Sequence, residues 1–353
     1  MLGNRKFVVD VGCEVKEFTG AWQDESFYDF ATHEIIPGAI YLISRQQFNA
    51  NIDRIRDLAT QGAILPILGN PAEGSDTMLK QIQALGLVEL VQQNRVLVIT
   101  GGYLQADIPC LYHENFLPKI LDYRENIQAA EQYWKDWSVD RPYKFLCLNG
   151  RGRRHRQQLL TSLSDILDQA VWTNLDSSAG PIRTLESKYE FDFYKQNTRL
   201  NQSGFVKYDL FNNDWGEIYL NPMPYLDTYF SLVTETVFEY PYSFRTEKIW
   251  KPIAIGHPFV VVANAGYYRD LHNLGFQTFG HVIDESFDKI ENNHERLRCI
   301  ITLVRDLCQQ DLSGFIAETR EICKYNQQHL SELAPLIRSQ FPTQLEHFIN
   351  ERS

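Results

Sequence analysis

Short apolar runs alternate with amphipathic segments along the N-terminal part of the chain. The apolar runs are KFVVDVG, GAIYLIS, AILPILGN and RVLVITGG, which cover residues 6–12, 38–44, 63–70 and 95–102. Segments with helical spacing lie between them: QQFNANIDRIRDLATQG stops at Gly62, and DTMLKQIQALGL stops near Gly86. Strand-length apolar runs that alternate with helices are typical of a parallel sheet covered by helices. The sequence therefore predicts an α/β fold.

The alternation starts again after residues 140–142, whose Asp-Arg-Pro composition is typical of a linker. A polar and aromatic helix is predicted before it, from about Asn126 to Trp137. Strands are predicted after it, over 144–148 and within AVWTNL, YFSLVTETVF, PFVVV and TFGHVID, and a helix is predicted from Gln157. A second α/β unit is therefore expected.

The last part of the chain is predicted to be helical from about Asn293, with interruptions at Pro335 and Pro342. The whole pattern predicts two Rossmann-like, doubly wound domains that face each other across a cleft, followed by a helical C-terminus. Ligands of open α/β sheets bind beyond the carboxyl ends of the strands. The expected boundaries give an acceptor-side domain, a nucleotide-binding domain and a C-terminal helix over residues 1–140, 141–335 and 336–353.

Composition excludes several classes of function. A formal net charge of -11 argues against non-specific binding to nucleic acid or to an anionic membrane. The 6 cysteines are far apart and form no C-x-x-C pair, so a disulfide framework and a zinc site are not expected. No apolar run reaches the roughly 20 residues of a membrane span, and the N-terminus lacks the pattern of a signal peptide. We expect a cytoplasmic protein.

Arginines are concentrated where the strand ending at Leu148 passes into a helix, in the run LNGRGRRHRQQLL. A strand-to-helix turn with two glycines can bring backbone N–H groups and a helix dipole to an anion. The guanidinium fork also matches phosphate oxygens. We interpret the run as a phosphate-binding turn, although a solvated basic loop, or one paired with the chain's own carboxylates, is the alternative. The candidates are Asn149, Arg151, Arg154 and Arg156.

A second candidate site begins the helix in SFRTEKIWKPIAIG. Thr246 suits an N-cap, and Glu247 in the first turn is favourable with the helix dipole, whereas Lys248 there is not. A phosphate bound beside Lys248 would explain the lysine, and Glu247 could then accept hydrogen bonds from two ribose hydroxyls. A capping acid beside an exposed lysine is the alternative on residue types alone.

The run FRTEKIWKPIAIGHPFVVV resembles the donor-binding signature of α1,3-fucosyltransferase-type glycosyltransferases. The matching residues are Thr246, Glu247, Lys248, Ile249, Ala254, Gly256, Pro258, Val260 and Val261. The resemblance implies the two-domain GT-B arrangement and inverting transfer from a nucleoside-diphosphate sugar, with GDP-fucose as the model. It also implies that Glu247 holds the ribose and Lys248 the diphosphate, with Arg154 or Arg156 reaching the diphosphate and Arg245 completing the set.

The segment after this run, from Asn264 to Leu297, resembles a continuation found in bacterial and phage glycosyltransferase-like proteins. The matching residues are Leu271, Leu274, Gly275, Phe276, Thr278, Phe279, Asp284, Glu285, Ser286, Phe287 and Asp288. The resemblance covers residues 143–310, and the N-terminal part departs from it. Glu239 and Glu247 also have the E-x7-E spacing of retaining two-domain glycosyltransferases, a pattern that is common by chance.

An inverting transferase needs a general base for the acceptor hydroxyl, and we expect it in the first domain. Glu114 or His113, in YHEN, is the first choice and Asp10, at the end of the first strand, is the second. Hydrogen bonding within a loop is the alternative for each. The nearest D-x-D-like motif is Glu190-Phe191-Asp192, outside any predicted strand, so no essential metal or other cofactor is expected.

Two function classes stay open on the sequence. One is a glycosyltransferase with a nucleotide-sugar donor and a glycan, lipid or protein acceptor. The other is a catalytically silent fold of the same type that binds a nucleotide or a glycan. A dinucleotide-dependent oxidoreductase and a P-loop NTPase are disfavoured, because neither G-x-G-x-x-G after a first strand nor G-x-x-x-x-G-K-[ST] is present.

The choice of Glu114 as base gives a first testable prediction. Glu114→Gln is expected to abolish sugar transfer, because an amide cannot take the acceptor proton, while nucleotide binding stays unchanged. Calorimetry with nucleoside diphosphates measures the binding, and release of the nucleoside diphosphate from its sugar measures the transfer. Transfer that survives the substitution would show that Glu114 is not the base.

Overall fold

A computed structural model describes much of the chain. The described residues are 7–9, 28–30, 39–43, 52–61, 65–70, 82–101, 110–114, 116–119, 140–177, 180–186, 189, 220 and 223–351. The helix predicted from Asn126 to Trp137, the candidate Asp10 and the motif Glu190-Phe191-Asp192 lie outside these residues. The chain divides into two compact units, Met1–Pro118 with Ala334–Ser353, and Lys119–Leu333.

The first unit contains a parallel sheet. Its strands are β1 (Phe7–Val9), β2 (Tyr28–Phe30), β3 (Ile40–Ile43), β4 (Leu65–Asn70), β5 (Leu97–Thr100) and β6 (Cys110–Tyr112). They lie in the order β2-β1-β3-β4-β5-β6, and every neighbouring pair is parallel. The predicted strands β1, β3, β4 and β5 are confirmed. The strands β2 and β6 were not predicted because, unlike β1, they do not lie within an apolar run of strand length.

The first unit's helices are α1 (Ile52–Thr60), α2 (Val88–Gln92) and α3 (Phe116–Lys119). The predicted apolar face of α1 is confirmed by Ile55 and Leu58, which are buried in one cluster with Val8 and Val98 of the sheet. Burial of that face is the reason the segment is helical, because a helix this short is marginal without tertiary packing.

The second unit contains a smaller parallel sheet. Its strands are β7 (Tyr143–Asn149), β8 (Ala170–Asn174), β9 (Thr228–Thr234) and β10 (Phe259–Val262), in the order β10-β9-β7-β8. Every residue of β9 and β10 is buried, including the small polar residues Thr228, Ser231 and Thr234 of β9, as expected for strands of a parallel sheet covered on both faces. These four strands confirm the predictions made from the sequence.

Both sheets have the same order at their start. In the first sheet β2 and β3 lie on opposite sides of β1, and in the second sheet β8 and β9 lie on opposite sides of β7. The chain thus changes sides between β1 and β3 and between β7 and β9. The direction of winding reverses at these two places, and ligands of doubly wound sheets bind at such switch points. The sequence predicted Rossmann-like sheets, and the observed order is the flavodoxin-like variant of that class.

Helices of the second unit follow its strands. They are α4 (Arg154–Ser162), α5 (Met223–Leu226), α6 (Glu247–Ile255), α7 (Tyr267–Asn273), α8 (Asn293–Gln309) and α9 (Phe315–Asn350), with short 3-10 turns at Leu167–Gln169 and Ser286–Lys289. Helix α4 begins three residues before the predicted Gln157. The predicted helical C-terminus is confirmed.

Arg296 of α8 is a fully buried cation that joins three segments of the second unit. Its guanidinium donates to the carbonyl oxygens of Ala263, Phe238 and Ile290 at 3.0, 2.7 and 2.7 Å. It also lies 4.6 Å from the ring of Phe238. Its hydrogen bonds to the carbonyl oxygens of Phe238 and Ala263 hold the loops after β9 and β10 in place.

Two predictions about secondary structure are wrong. TFGHVID forms turns instead of a strand: Phe279 and Ile283 are buried but His281 between them is exposed, whereas alternation in a strand would bury all three. Pro335 and Pro342 do not interrupt α9, whose apolar face continues through Ala334 and Phe341. The break between α8 and α9 comes instead at residues 310–314.

Helix α9 belongs to both units, because the first unit includes the chain from Ala334 onward. Within the first unit, Arg338 donates from Nη2 to the carbonyl oxygen of Pro118 at 2.8 Å. The ring of Phe341 lies 4.0 Å from that of His113, centroid to centroid. The end of the chain is therefore part of the packing of its beginning.

Gly256, which ends α6, gives a prediction about stability. Its φ of 68° is left-handed, and an added Cβ would come within 2.6 Å of Gln327 Oε1. Gly256→Ala is expected to lower the free energy of unfolding by about 1–2 kcal/mol, measured by urea titration. Gly314→Ala is the control, since its added Cβ would meet only the end of the Glu318 side chain at 3.2 Å. Equal losses in both variants would contradict the argument.

Candidate functional site

Strands β7 and β9 end side by side at the switch point of the second sheet. Asn149, the last residue of β7, accepts a hydrogen bond on Oδ1 from Thr234 Oγ1 at 2.5 Å and donates from Nδ2 to Cys147 Sγ at 3.4 Å. Its backbone N–H donates to Thr173 Oγ1 of β8 at 2.9 Å. Asn149 was predicted to bind a donor nucleotide. Here its side chain joins the strand ends at the base of the candidate site.

The loop after β7 is held from behind by Arg156. This residue is 3% exposed, and its guanidinium donates to the carbonyl oxygens of Arg151 and Thr234, both at 2.8 Å. Burial lowers the pKa of Arg156 to about 10, against the opposing effect of the nearby Glu235 carboxylate. Of the predicted arginines, Arg156 therefore faces inward and fixes the loop.

The other arginines of the run lie at the surface around the start of α4. Arg151, Arg153 and Arg154 are exposed, and the first turn of α4 contains no acidic residue. Positive side chains at the positive end of a helix dipole are destabilising by about 0.3–1 kcal/mol each at low ionic strength. An anion at this helix start would remove that cost.

The start of α6 contains the second predicted group. Thr246 is the N-cap, and its Oγ1 accepts from the backbone N–H of Lys248 at 3.3 Å. Lys248 Nζ donates to Glu247 Oε1 at 2.5 Å and to Thr246 Oγ1 at 3.2 Å. Burial raises the pKa of Glu247, but the positive charges of Lys248 and Lys251 lower it more, so the net shift is downward. Glu247 is a charged hydrogen-bond acceptor with a cation beside it.

Glu235, which the sequence interpretation missed, directly follows β9 and is 0% exposed. Its Oε1 accepts from the Thr246 N–H at 3.0 Å and the Tyr267 hydroxyl at 2.9 Å. Its Oε2 accepts from Thr246 Oγ1 at 2.7 Å and the Thr236 N–H at 3.3 Å. The signal available in the sequence was a carboxylate immediately after a mainly apolar run of strand length. Glu239, whose spacing from Glu247 drew attention instead, is exposed.

The starts of α4 and α6 meet around Glu235. His155, in the first turn of α4, lies with Nε2 3.0 Å from the carbonyl oxygen of Glu235. Arg156 in the same turn is close enough to Glu247 for the carboxylate to raise the arginine's pKa against burial. Two helix N-termini and several cationic side chains thus lie at one edge of the sheet, where an anion with hydroxyl groups could bind.

Aromatic side chains near this edge divide into surface and core. Tyr240 is half-buried, and its ring stacks on buried Tyr242 at 5.4 Å. Phe244, Tyr267 and Tyr268 are buried, and the Tyr268 hydroxyl accepts from the N–H of Val261 at 3.1 Å. Tyr240 is the one of these five that is partly exposed. Arg245, the remaining predicted donor-binding residue, is buried directly before the N-cap of α6.

The acidic motif DESFD has a structural role. Glu285 accepts from the backbone N–H of Phe279 at 2.7 Å and from Thr278 Oγ1 at 2.8 Å. Asp288 accepts from the N–H groups of Tyr268 and Arg269 at 3.0 and 3.4 Å, at the start of α7. Both carboxylates satisfy backbone donors that would otherwise be unpaired.

Two of the candidate bases, His113 and Glu114, follow β6, which is an edge strand of the first sheet. His113 is buried, and among the residues that the structure describes its Nε2 has no hydrogen-bond partner. Burial lowers the pKa of His113 to about 3, which makes it a weak base at neutral pH. Glu114 is buried and accepts a hydrogen bond from the Tyr112 hydroxyl. In the sequence Asp10 directly follows β1, a strand at the switch point of the sheet.

Among these described segments there is no group of three or more His, Cys, Asp or Glu side chains placed to hold a metal. No helix of the described part of the chain is both long and apolar enough to span a bilayer.

His155 gives a prediction for the dependence of stability on pH. Its folded-state pKa is lowered to about 3, first by burial and then by the charge of Arg156. The unfolded chain binds a proton below about pH 6.5 and the folded protein does not, so this contribution to stability is lost as the pH falls from 6.5 toward 3. His155→Gln is expected to reduce the loss by up to about 1.4 kcal/mol per pH unit. Urea titrations at pH 6.5 and 5 measure it.

His294→Gln, on the exposed side of α8, is the control for this prediction and should leave the pH dependence as it is in the wild type. A pH dependence in His155→Gln that equals that of the wild type would contradict the assignment of a neutral, buried imidazole.

Comparison with known proteins gave one solved structure with detectable similarity. No protein-family model and no curated protein sequence matches the chain. A structure described as the crystal structure of α1,3-fucosyltransferase is similar over 93% of this chain and 90% of that chain, with 11% sequence identity and a TM-score of 0.45.

Proposed function

We propose that this protein is a glycosyltransferase that binds a nucleoside-diphosphate sugar at the carboxyl edge of its second sheet. One observation carries the proposal: the first turns of α4 and α6 meet beside the ends of β7 and β9. The first of these helices presents exposed arginines, and the second presents the Glu247–Lys248 pair. A nucleoside diphosphate has an anionic group and a pair of adjacent hydroxyls, which match these two features.

The diphosphate is assigned to the cationic part of the site. Arg151, Arg154 and Lys248 would supply its charged hydrogen bonds, and Arg156 would hold the loop that presents Arg151. Charge develops on the leaving diphosphate during transfer, so fixed cations and helix dipoles stabilise the transition state more than the ground state. We propose that these groups act without a metal ion and without any cofactor other than the donor.

The ribose is assigned to Glu247. Its charged carboxylate uses Oε1 for Lys248, and a carboxylate accepts up to about four hydrogen bonds, which leaves capacity for two ribose hydroxyls. Thr246 and Arg245 would complete this part of the site from the turn before α6. Tyr240, which is partly exposed beside Tyr242, would stack against the base. GDP-fucose is the donor suggested by the sequence resemblance.

Glu114 is the proposed general base of an inverting transfer, with Asp10 second and His113 third. The low pKa of His113 argues against it, while Glu114 keeps a carboxylate within hydrogen-bond reach of a hydroxyl group, that of Tyr112. A glycan, lipid or protein hydroxyl would serve equally as acceptor.

Calorimetry with GDP, UDP, ADP and CMP, without added metal, tests the proposal. Lys248→Ala is expected to weaken binding of the preferred nucleoside diphosphate by about ten-fold or more, because a charged hydrogen bond contributes about 1.5–3 kcal/mol. Lys324→Ala, which removes an exposed lysine 3.4 Å from Glu321 on α9, is the control and should bind as the wild type does.

Three outcomes separate the alternatives. Binding of a nucleoside diphosphate together with metal-independent release of that nucleotide from its sugar supports the transferase. Binding without turnover of any donor favours the silent binding module. A folded wild type that binds none of the nucleotides would contradict both readings of the site.

A further inference from the structure

We propose that Glu235 is a positioning residue: through the hydroxyl of Thr246 it fixes the ammonium group of Lys248 where the diphosphate binds. This inference rests on the proposed function and adds to it a residue that touches neither nucleotide nor sugar. It follows from the direction of the hydrogen bonds between β9 and the start of α6.

The carboxylate of Glu235 is held in one orientation by its hydrogen bonds. It is 0% exposed and accepts from four donors, two of which are the backbone N–H groups of Thr236 and Thr246. Backbone N–H groups cannot reverse their role, so they fix the carboxylate in the plane that also receives the hydroxyls of Thr246 and Tyr267. The oxygen that Thr246 contacts is therefore held in place by the backbone.

The hydroxyl of Thr246 transmits this constraint. A hydroxyl has one proton and two lone pairs, and the proton of Thr246 Oγ1 is directed to Glu235 Oε2 at 2.7 Å. Its lone pairs must then face the other way, where Lys248 donates from its backbone N–H at 3.3 Å and from Nζ at 3.2 Å. The buried carboxylate of Glu235 thus orients the hydroxyl of Thr246, and this hydroxyl accepts a hydrogen bond from the ammonium of Lys248.

Lys248 is left with one N–H for a ligand. Its ammonium has three protons, of which one is directed to Thr246 and one to Glu247 Oε1 at 2.5 Å. The side chain is 22% exposed, so the third proton can reach solvent or a bound anion. Fixing a long, flexible side chain before the ligand arrives removes part of the entropy cost of binding.

The matched variants separate positioning from folding. Glu235→Gln keeps the size of the side chain but replaces one oxygen by an NH2 group, which must donate to Thr246 instead of accepting from it. Thr246→Ser keeps the hydroxyl, and Thr246→Val keeps the shape without it. Thermal unfolding of each variant shows whether it is folded under the conditions of the binding assay.

The test is a double-mutant cycle on GDP binding, measured by calorimetry. Glu235→Gln is expected to weaken binding by about five-fold or more in the wild-type background and to cause no further loss in the Lys248→Ala background. Thr246→Ser, which keeps the hydroxyl, should lose less GDP affinity than Thr246→Val, and Thr246→Val should lose as much as Glu235→Gln. An equal loss in both backgrounds, or no loss in either, would overturn the proposal.

A measurement without nucleotide keeps the inference distinct from the proposed function. The rate of acylation of Lys248 by acetic anhydride, followed by mass spectrometry, is expected to rise in Glu235→Gln, because a held ammonium is less reactive than a mobile one. Lys324 provides the reference rate in the same sample. An unchanged rate at Lys248 would overturn the positioning role even if GDP binds. If the wild type binds no nucleoside diphosphate and acylation of Lys248 is still faster in Glu235→Gln, the proposed function and the ligand assigned to Lys248 are overturned.

Discussion

A carboxyl side chain buried at the end of a strand organises the second unit. The carboxylate of Glu235 lies where β9 leaves the sheet, and every donor around it comes from a segment that follows: Thr236, Thr246 at the start of α6, and Tyr267 in α7. Leaving a carboxylate in the interior without such partners is strongly unfavourable. The loop between β9 and α6 therefore has little choice of path, and the helix start that it leads to is placed with the same precision.

Buried arginines of the second unit hold its loops in place, and the other arginines near this edge lie at the surface. Arg156 holds the loop after β7 from inside, as Arg296 holds the loops after β9 and β10. Because these two guanidinium groups are bonded to backbone carbonyls, the loops that they hold stay rigid, while Arg151, Arg153 and Arg154 remain at the surface. A rigid base with exposed cations is what an anion-binding edge requires, since little ordering then accompanies binding.

Sequence reasoning found the strands and the start of α6 because periodicity and capping act locally. Thr246 caps the helix as its residue type predicts, and β9 and β10, which are strand-length runs rich in aliphatic and aromatic residues, are completely buried. It did not show which of the four arginines is buried, although helical spacing indicates it. Arg156 lies three and four residues before the buried Leu159 and Leu160, on the same face of the helix. It failed for TFGHVID, where Phe279 and Ile283 are buried by a turn that Glu285 stabilises from outside the segment. That contact, like those of Glu235, joins residues whose spacing gives no local signal.

The long C-terminal helix has a consequence for the order in which the protein can form during synthesis. The second unit, Lys119–Leu333, is continuous in the chain, whereas the first unit needs the segment from Ala334 onward. Leu345 and Ile349 of that segment are buried, and Phe341 packs on His113. A nascent chain can therefore complete the second unit while the first still lacks its final helix. The second unit can therefore be completed before the first, although the strands of the first unit leave the ribosome earlier.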